Sequence, residues 1–206
     1  MSDILKTYIH TFFHPKETQM LLRSDNVYAI DSERRRTLTF EESLSCSWMF
    51  SFIQAFYTIL IIFLGIEYFS VTEKMPSVIS RNATVLKIFF IILEFVLFPI
   101  GFWIYVKFWS KVITIFTKIF EINLENEKRT QDLLVQTMST HTFLVLPVFG
   151  KLFSKVGSII YLYLGLRDNL GFNAAQSIFV LLFPLFILFF TFSLMMISIV
   201  MMFAGF

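Results

Sequence analysis

The chain has 206 residues, of which 56% are hydrophobic and 16% charged, and its mean hydropathy is +0.72. Soluble domains typically carry about a quarter charged residues, so this composition excludes an ordinary soluble domain and indicates a membrane protein. A net charge of +2 without a concentrated basic patch argues against a nucleic-acid partner. The single Cys46 excludes an intramolecular disulfide and a multi-cysteine metal site.

Residues 1–44 are the only long polar region, and we interpret them as a cytoplasmic N-terminal arm. Apolar residues recur at helical spacing over residues 3–13, which predicts an amphipathic helix able to lie on the membrane surface. Pro15 ends this helix, and residues 17–22 begin a second short one. The arm therefore offers a surface for lipid or for a protein partner.

Five apolar stretches follow the arm and predict an all-α fold, a polytopic helical membrane bundle over residues 45–206. Thr39 and Glu42 are spaced as a capping box, which predicts a helix start just before the first stretch. About 20 apolar residues in a helix are needed to cross the hydrocarbon core. The predicted transmembrane helices are residues 45–66, 84–106, 133–149, 152–166 and 174–203.

Small side chains and prolines mark how these helices pack. Two rows recur every fourth residue, and such rows let helices approach closely in lipid. Pro99 predicts a kink in the second transmembrane helix, and Pro184 a bend in the last one. The rows are Ser43, Ser47, Ser51 and Ala55 in the first helix, and Gly150, Ser154 and Ser158 around the fourth.

The third stretch, residues 133–149, is the least apolar of the five because Gln136, Ser139, Thr140 and His141 interrupt it. Two interpretations stay open for this segment. It either crosses the bilayer completely, or it forms a re-entrant or interior helix that its neighbours shield from lipid.

The distribution of basic residues predicts the orientation. With five crossings and a cytoplasmic N-terminus, twelve Lys and Arg residues fall inside and five outside. This asymmetry satisfies the positive-inside rule and places the C-terminus outside. If residues 133–149 do not cross, the last two transmembrane helices invert, so the orientation depends on that segment.

Glu94 is the leading candidate for an intramembrane polar site, because a carboxylate near mid-bilayer is costly and usually functional. Gln54, His141 and Tyr163 are its candidate hydrogen-bond partners on other helices, whereas Lys87 lies about 10 Å away along the axis. We expect Glu94 to be buried within the bundle. Two roles stay open for Glu94. It acts as a proton or ion relay, or it specifies how the helices pack, and packing is favoured because a single intramembrane carboxylate constrains a mechanism only weakly.

Arg167 and Asp168 form the polar elbow between the last two apolar stretches. They are candidates for a docking point, but anchoring by Arg167 at the headgroups and capping by Asp168 or Asn173 are the commoner roles. His10 and His14 have the spacing of metal ligands on one helix, yet a closed zinc site needs four ligands and no others accompany them. We therefore predict no metal, no cofactor and no catalytic residue.

Four segments resemble the Yip-domain family, the Ypt/Rab-interacting membrane proteins. They are FFHPKETQMLL (residues 12–22), FEESLSCSW (residues 40–48), LPVFGKLFSKVGSIIYLYLGLRDNLGFNAAQSI (residues 146–178) and the following LLFPLFILF. The likeness is best over about the last 60 residues. Where members often carry a glycine-rich loop, this chain has Ile-Asn-Leu-Glu-Asn at residues 122–126, which puts the geometry between the second and third transmembrane helices in doubt.

The resemblance implies a multi-pass protein with a cytoplasmic N-terminus, and the composition favours a bacterial member in the inner (cytoplasmic) membrane. Eukaryotic members bind prenylated small GTPases and shape secretory membranes. We expect a non-catalytic scaffold or adaptor whose partners are the lipid bilayer and other membrane or cytoplasmic proteins, with homo-oligomers a further option. The alternative is a small transporter or channel component that uses Glu94, and a lipid-modifying enzyme is a third, weaker option.

Overall fold

The computed structural model describes residues 2–23, 37–71, 77–122 and 128–203, with the backbone alone given for residues 2, 66–71 and 77–82. All regular structure in these ranges is helical, as the sequence predicts. A 3₁₀ segment (Met138–Val145) continues the fifth helix, and a π-helical turn (Gly165–Asn169) continues the sixth. The helices are α1 (Ser2–Phe13), α2 (Pro15–Arg23), α3 (Phe40–Val71), α4 (Ser77–Ile119), α5 (Lys128–Thr137), α6 (Gly150–Leu164) and α7 (Ala174–Phe203).

Three helices in the described ranges are long and apolar enough to cross a membrane, namely Phe40–Gly65, Ala83–Ile119 and Ala174–Phe203. Only 6% of the most apolar window of each helix is buried inside the chain, so most of its apolar surface needs lipid or another protein as a partner. These helices contain the first, second and fifth predicted crossings, and the fifth has the bounds that the sequence predicts. The third and fourth predicted crossings are not confirmed.

Several predicted boundaries differ from the structure. The loop expected at residues 67–81 is partly helical, because α3 continues to Val71 and α4 begins at Ser77. The polar break expected at residues 123–132 ends earlier, since α5 begins at Lys128. The run of arginines at residues 34–36 and most of the segment at residues 122–126 lie outside the described residues.

The third and fourth apolar stretches form a helical hairpin, made of α5, the 3₁₀ segment and α6. At its base, a Cβ atom on Gly165 would lie 2.6 Å from the Leu133 side chain, so only glycine permits this approach. Midway along the hairpin, the hydroxyl groups of Thr140 and Ser158 are 2.8 Å apart. The 17-residue α-helix expected over residues 133–149 is interrupted here. The Thr140 and Thr142 hydroxyl groups donate to backbone carbonyl oxygens three residues earlier, and such bonds compete with those of a regular α-helix.

The tip of the hairpin, residues 146–149, is exposed and mostly apolar. Val148 is 77% exposed and has a positive φ of 67°, a left-handed conformation that β-branched residues rarely adopt. On the flanking turn of α6, Leu152 and Phe153 are also exposed. The tip therefore presents apolar side chains to its surroundings although it is a turn.

The small residues of α3 pack against this hairpin. Ser43 and Ser47 are fully buried, and the Ser43 hydroxyl donates a hydrogen bond to the Val135 carbonyl oxygen at 2.9 Å. On α6, Gly150 and Ser154 are buried as well, whereas Lys151 and Ile160 are exposed. The predicted rows thus lie at contacts, but α6 is only half interior.

Pro99 lies inside a continuous helix, and a side chain from α3 satisfies the carbonyl group that it leaves without a donor. Because proline has no N–H, the Phe95 carbonyl oxygen lacks its intrahelical partner. The indole N–H of Trp48 donates to this oxygen at 3.1 Å, and the two aromatic rings stack 5.4 Å apart. The carbonyl group that Pro99 leaves free therefore binds Trp48, and this hydrogen bond connects α3 to α4.

Candidate functional site

Glu94 and Lys151 form the closest ion pair among the described residues. The Lys151 ammonium group lies 2.8 Å and 2.7 Å from the two carboxylate oxygens of Glu94. Lys151 is the second residue of α6, so the pair joins the tip of the hairpin to α4. The Glu94 side chain is 62% exposed, so the prediction that it is buried within the bundle is wrong. The Lys151 ammonium group on α6 neutralises the Glu94 carboxylate instead.

A cavity of about 770 Å³ adjoins this ion pair, between α4, the 3₁₀ segment, α6 and α7. Apolar side chains make most of its wall, and Glu94 and Lys155 line it as charged residues. His141 also lines it and packs edge-on against Phe98, with ring centroids 5.5 Å apart. The His141 Nδ1 atom is buried and has no hydrogen-bond partner in the described part of the chain.

The four residues predicted as one polar site are only partly brought together. Glu94 and His141 line the same cavity. Gln54 lies with Glu94 and Lys151 in a much smaller cleft on the other side of α4, against α3. Tyr163 lines neither space, so it is not a partner of Glu94. Among the described residues, the side-chain hydrogen bonds of Glu94 come from Lys151, which the sequence analysis does not predict, and none joins Glu94 to Gln54, His141 or Tyr163.

The elbow after α6 is a π-helical turn that continues this helix. Arg167 and Asp168 lie within the π-helical turn and approach each other to 4.0 Å. Asn173 caps α7, since its side-chain oxygen accepts from the Gln176 N–H at 2.8 Å while the Gln176 side chain accepts from the Asn173 N–H at 2.9 Å. Of the two capping candidates in the sequence, the structure therefore selects Asn173. A similar reciprocal pair between Thr39 and Glu42 confirms the capping box at the start of α3.

The arm is packed against the bundle through buried polar contacts. Tyr8 is completely buried; its hydroxyl group donates to the Met138 carbonyl oxygen and lies 2.9 Å from the Ser47 hydroxyl. Burial raises the pKa of Tyr8 well above its usual range, because the charged form would lose its hydration. This single side chain therefore connects α1 to α3 and to the hairpin.

Two further contacts fix the joint between α1 and α2. The Tyr161 hydroxyl on α6 donates to the Phe12 carbonyl oxygen. The Asn169 amide in the elbow donates to the side-chain oxygen of Gln19, and both residues are buried. These contacts reach the elbow and α6, and Phe12 also packs edge-on against Phe143 near the tip, so the arm lies along the hairpin instead of apart from it.

The outer surface of the arm carries a shallow groove, which we call the arm groove. Phe13, which is 68% exposed, and Met20, which is 50% exposed, line it together with His14, Lys16 and Glu17. The imidazole rings of His10 and His14 stack 4.7 Å apart nearby. No group of three potential metal-ligating side chains occurs within the described residues. The arm groove therefore combines two exposed apolar side chains with charges of both signs.

The features that the sequence did not predict share one property. Lys151, Tyr8 and Trp48 all contact residues that are distant in sequence. In the sequence analysis Lys151 lies between two predicted transmembrane helices and counts as an external basic residue, and Tyr8 and Trp48 lie in predicted helices without a role. No local pattern indicates these contacts, because they depend on how the hairpin and the arm pack.

No protein-family model, curated protein or solved structure matches this chain. The resemblance to the Yip-domain family therefore rests on the sequence segments alone.

Proposed function

We propose that this chain is a non-catalytic integral membrane scaffold or adaptor of Yip-domain type, which binds a protein partner through its arm groove. The observation that carries the proposal is the docking of the arm. Tyr8 and Gln19 face inward with buried hydrogen bonds, which leaves Phe13 and Met20 exposed on a fixed surface. A fixed apolar surface needs little ordering on binding, and this reduces the entropic cost of association.

The proposed topology has a cytoplasmic N-terminus, an external C-terminus and a bacterial inner membrane as its location. It takes the hairpin as re-entrant instead of as two full crossings. Lys151 at the tip reaches Glu94, which lies near the middle of the predicted crossing at residues 84–106. The 15 residues of α6 extend about 22 Å, less than a hydrocarbon core of about 30 Å.

A re-entrant hairpin and two full crossings return the chain to the same side. The twelve-to-five distribution of basic residues therefore supports both topologies equally, apart from Lys151 and Lys155 near the tip. The elbow with Arg167 lies inside in either case, next to the arm that contacts it.

The adaptor proposal is tested by site-specific photocrosslinking in native membranes. A photoreactive amino acid at position 13 should give a discrete protein adduct, and Met20→Ser should weaken it because both side chains line the arm groove. The same probe at position 6, on an exposed part of α1 outside the groove, is the matched control. Equal adducts from both positions, or adducts with lipid only, would overturn the proposal.

A second candidate function is a transporter or channel component, and the contact between the Glu94–Lys151 pair and the cavity favours it. Under this proposal Glu94→Gln abolishes flux of the transported ion in proteoliposomes without changing the fold. An adaptor instead tolerates Glu94→Gln and loses its crosslink when the arm groove is changed. The two variants together separate the two functions.

A further inference from the structure

The helix α7 packs against the rest of the chain mainly near its start. Ser177 and Val180 are its buried residues. From Leu185 to Phe203, every residue except the half-buried Ser193 is exposed. Leu185 also lines the cavity between α4, α6 and α7. The cavity therefore lies where α7 begins to lose its contacts with the bundle.

The mouth of this cavity lies among apolar side chains. Ile159 on α6 and Leu185 on α7 line the cavity and are also 58% and 62% exposed. Their neighbours on both helices include other exposed apolar residues. The mouth therefore suits an occupant with an apolar surface, such as a lipid chain or a transmembrane helix.

Lys155 also lines the cavity, and it brings a positive charge that this chain does not balance. Both carboxylate oxygens of Glu94 are bound by Lys151, so that pair is neutral as a unit. Lys155 is exposed, and no acidic side chain in the described ranges lies within ion-pair distance of its ammonium group. The other polar residues of the wall carry no negative charge; they are Tyr105, His141, Ser154 and Ser158.

The depth of Lys155 narrows the chemistry of an occupant. In the proposed re-entrant topology, the Glu94–Lys151 pair lies near the middle of the apolar layer. Lys155 lies one helical turn, about 6 Å, nearer to the cytoplasmic side. Half of the hydrocarbon core is about 15 Å deep, so about 9 Å of apolar layer separates Lys155 from the headgroups. A phospholipid holds its phosphate group at the surface and brings no negative charge to this depth.

A second copy of this chain does not supply the missing charge either. Glu94 is the only acidic residue within the five apolar stretches of the sequence, and Lys151 already neutralises it. Each copy therefore brings one carboxylate and two ammonium groups to this depth, and a dimer doubles the surplus positive charge. The remaining source of a carboxylate is a transmembrane helix of another protein, whose backbone holds the side chain within the apolar layer.

We propose that this cavity is a docking site for a transmembrane helix of another membrane protein, which carries an Asp or Glu residue near mid-bilayer. The carboxylate of that residue binds the Lys155 ammonium group, because charged side chains within a membrane pair with one another. His141 lines the same cavity, and its buried Nδ1 atom, which has no hydrogen-bond partner in the described part of the chain, offers a second polar contact. Apolar side chains of the incoming helix fill the space between α6 and α7 by close packing.

Photocrosslinking with designed peptides tests this docking site. The probe is a synthetic transmembrane peptide of about 20 Leu and Ala residues with one Glu near its centre, and the comparison peptide carries Gln there. The full-length protein, with a photoreactive amino acid in place of Ile159, is reconstituted with each peptide in phosphatidylcholine bilayers. The Glu peptide should give about three- to twentyfold more adduct, the range that a hydrogen bond between membrane helices contributes.

Matched variants locate the contact. Lys155→Gln should make the two peptides crosslink equally, whereas Lys87→Gln, on the exposed surface of α4 and outside the cavity, should keep the difference. Lys155→Glu should instead favour a peptide with a central Lys. The photoreactive amino acid in place of Ile160, which is exposed on α6 but does not line the cavity, should give little adduct with any peptide.

Equal adducts from the Glu and Gln peptides, a preference that survives Lys155→Gln, or equal adducts from positions 159 and 160 would each overturn the proposal. In native membranes, position 159 should crosslink to a protein with an acidic residue inside a transmembrane helix, and replacing that residue by its amide should remove the adduct. Adducts with lipid alone, or with a second copy of this chain, would contradict it. The docking rests on the proposed re-entrant topology, which labelling of the hairpin tip tests on its own, whereas the adaptor function depends on the arm groove.

Discussion

The Tyr8 hydroxyl group connects three segments that are far apart in the sequence. It donates to the Met138 carbonyl oxygen, 130 residues away, and lies beside the Ser47 hydroxyl. A buried carbonyl group that loses its donor has a large desolvation cost, so this hydrogen bond influences stability more than an exposed one. The docking of the arm depends on it.

Tyr8→Phe should lower the free energy of unfolding by about 1 to 2 kcal/mol, because it leaves the Met138 carbonyl without its main donor. Ser47 lies 3.4 Å from the same oxygen and compensates in part. Thermal unfolding in detergent, followed by circular dichroism, measures the effect. Tyr57→Phe is the control, since the Tyr57 hydroxyl makes no hydrogen bond with the described residues. Equal losses from both variants would contradict the assigned role.

The same residue predicts a dependence on alkaline pH. Burial raises the pKa of Tyr8, so the folded protein retains a proton that the unfolded chain releases above about pH 10. The stabilisation is complete below that pH and is lost as pH rises further. Unfolding measured from pH 8 to 11 should therefore show a steeper decline for the unsubstituted protein than for Tyr8→Phe. The Tyr57→Phe variant should keep the steeper decline.

Val148, at the tip of the hairpin, stores backbone strain. Its φ of 67° suits glycine, and a non-glycine residue held there costs about 1 to 3 kcal/mol. Val148→Gly should therefore raise the melting temperature, even though glycine normally destabilises regular structure. Val145→Gly, at the end of the 3₁₀ segment and without positive φ, should lower it. If both substitutions lower the melting temperature, the tip is not strained.

At the scale of the elements, Pro99 and Trp48 act as a unit. Trp48→Phe removes the donor to the Phe95 carbonyl oxygen, a loss of about 0.6 kcal/mol and at most about 1.7 for a hydrogen bond between membrane helices. Pro99→Ala restores an N–H that bonds to the same oxygen within α4. In the Pro99→Ala background, Trp48→Phe should therefore cost less.

A double-mutant cycle in detergent denaturation measures this coupling. Trp109→Phe is the matched control, because Trp109 lies ten residues from Pro99 on α4 and packs against Tyr105 and Phe108 instead of against the proline turn. Its cost should be the same with Pro99 and with Pro99→Ala. An additive result for Trp48 would mean that the indole hydrogen bond is independent of the proline.

Helices with strong local signals could be predicted from the sequence, whereas the hairpin could not. Residues 174–203 and the Thr39–Glu42 capping box were predicted because apolar length and cap chemistry are local properties. Residues 133–149 contain Thr and Ser hydroxyls whose backbone bonds interrupt the helix, and only packing against α3 and α6 determines that outcome. The neighbour of Glu94 is 57 residues away, so no local pattern indicates it.

At the scale of the whole molecule, the proposed re-entrant topology has the ion pair between Glu94 and Lys151 set the depth of the hairpin. An exposed pair in water contributes at most about 1 kcal/mol, but in lipid neither charge is stable without the other. In that topology the pair allows a short hairpin to end inside the apolar layer, and the exposed tip residues contact lipid instead of water.

Cysteine labelling in intact cells tests this depth. In a Cys46→Ala background, Val148→Cys should resist a membrane-impermeant maleimide from both sides and react only after the membrane is dissolved. Two full crossings predict labelling from outside instead. Lys16→Cys on the arm should react only after the cytoplasmic side is opened, and Phe203→Cys at the end of α7 should react from outside, which calibrates both sides.

The labelling of Val148→Cys distinguishes the two topologies, because Lys16→Cys and Phe203→Cys identify the cytoplasmic and the external side. Labelling of Val148→Cys from outside would establish five crossings and leave Lys151 near an aqueous surface. Labelling from inside would contradict both topologies, since each one sends the hairpin away from the side that holds the arm. Protection from both sides would leave the charge of Lys151 in the apolar layer, where Glu94→Gln should make the hairpin withdraw and Val148→Cys become reactive.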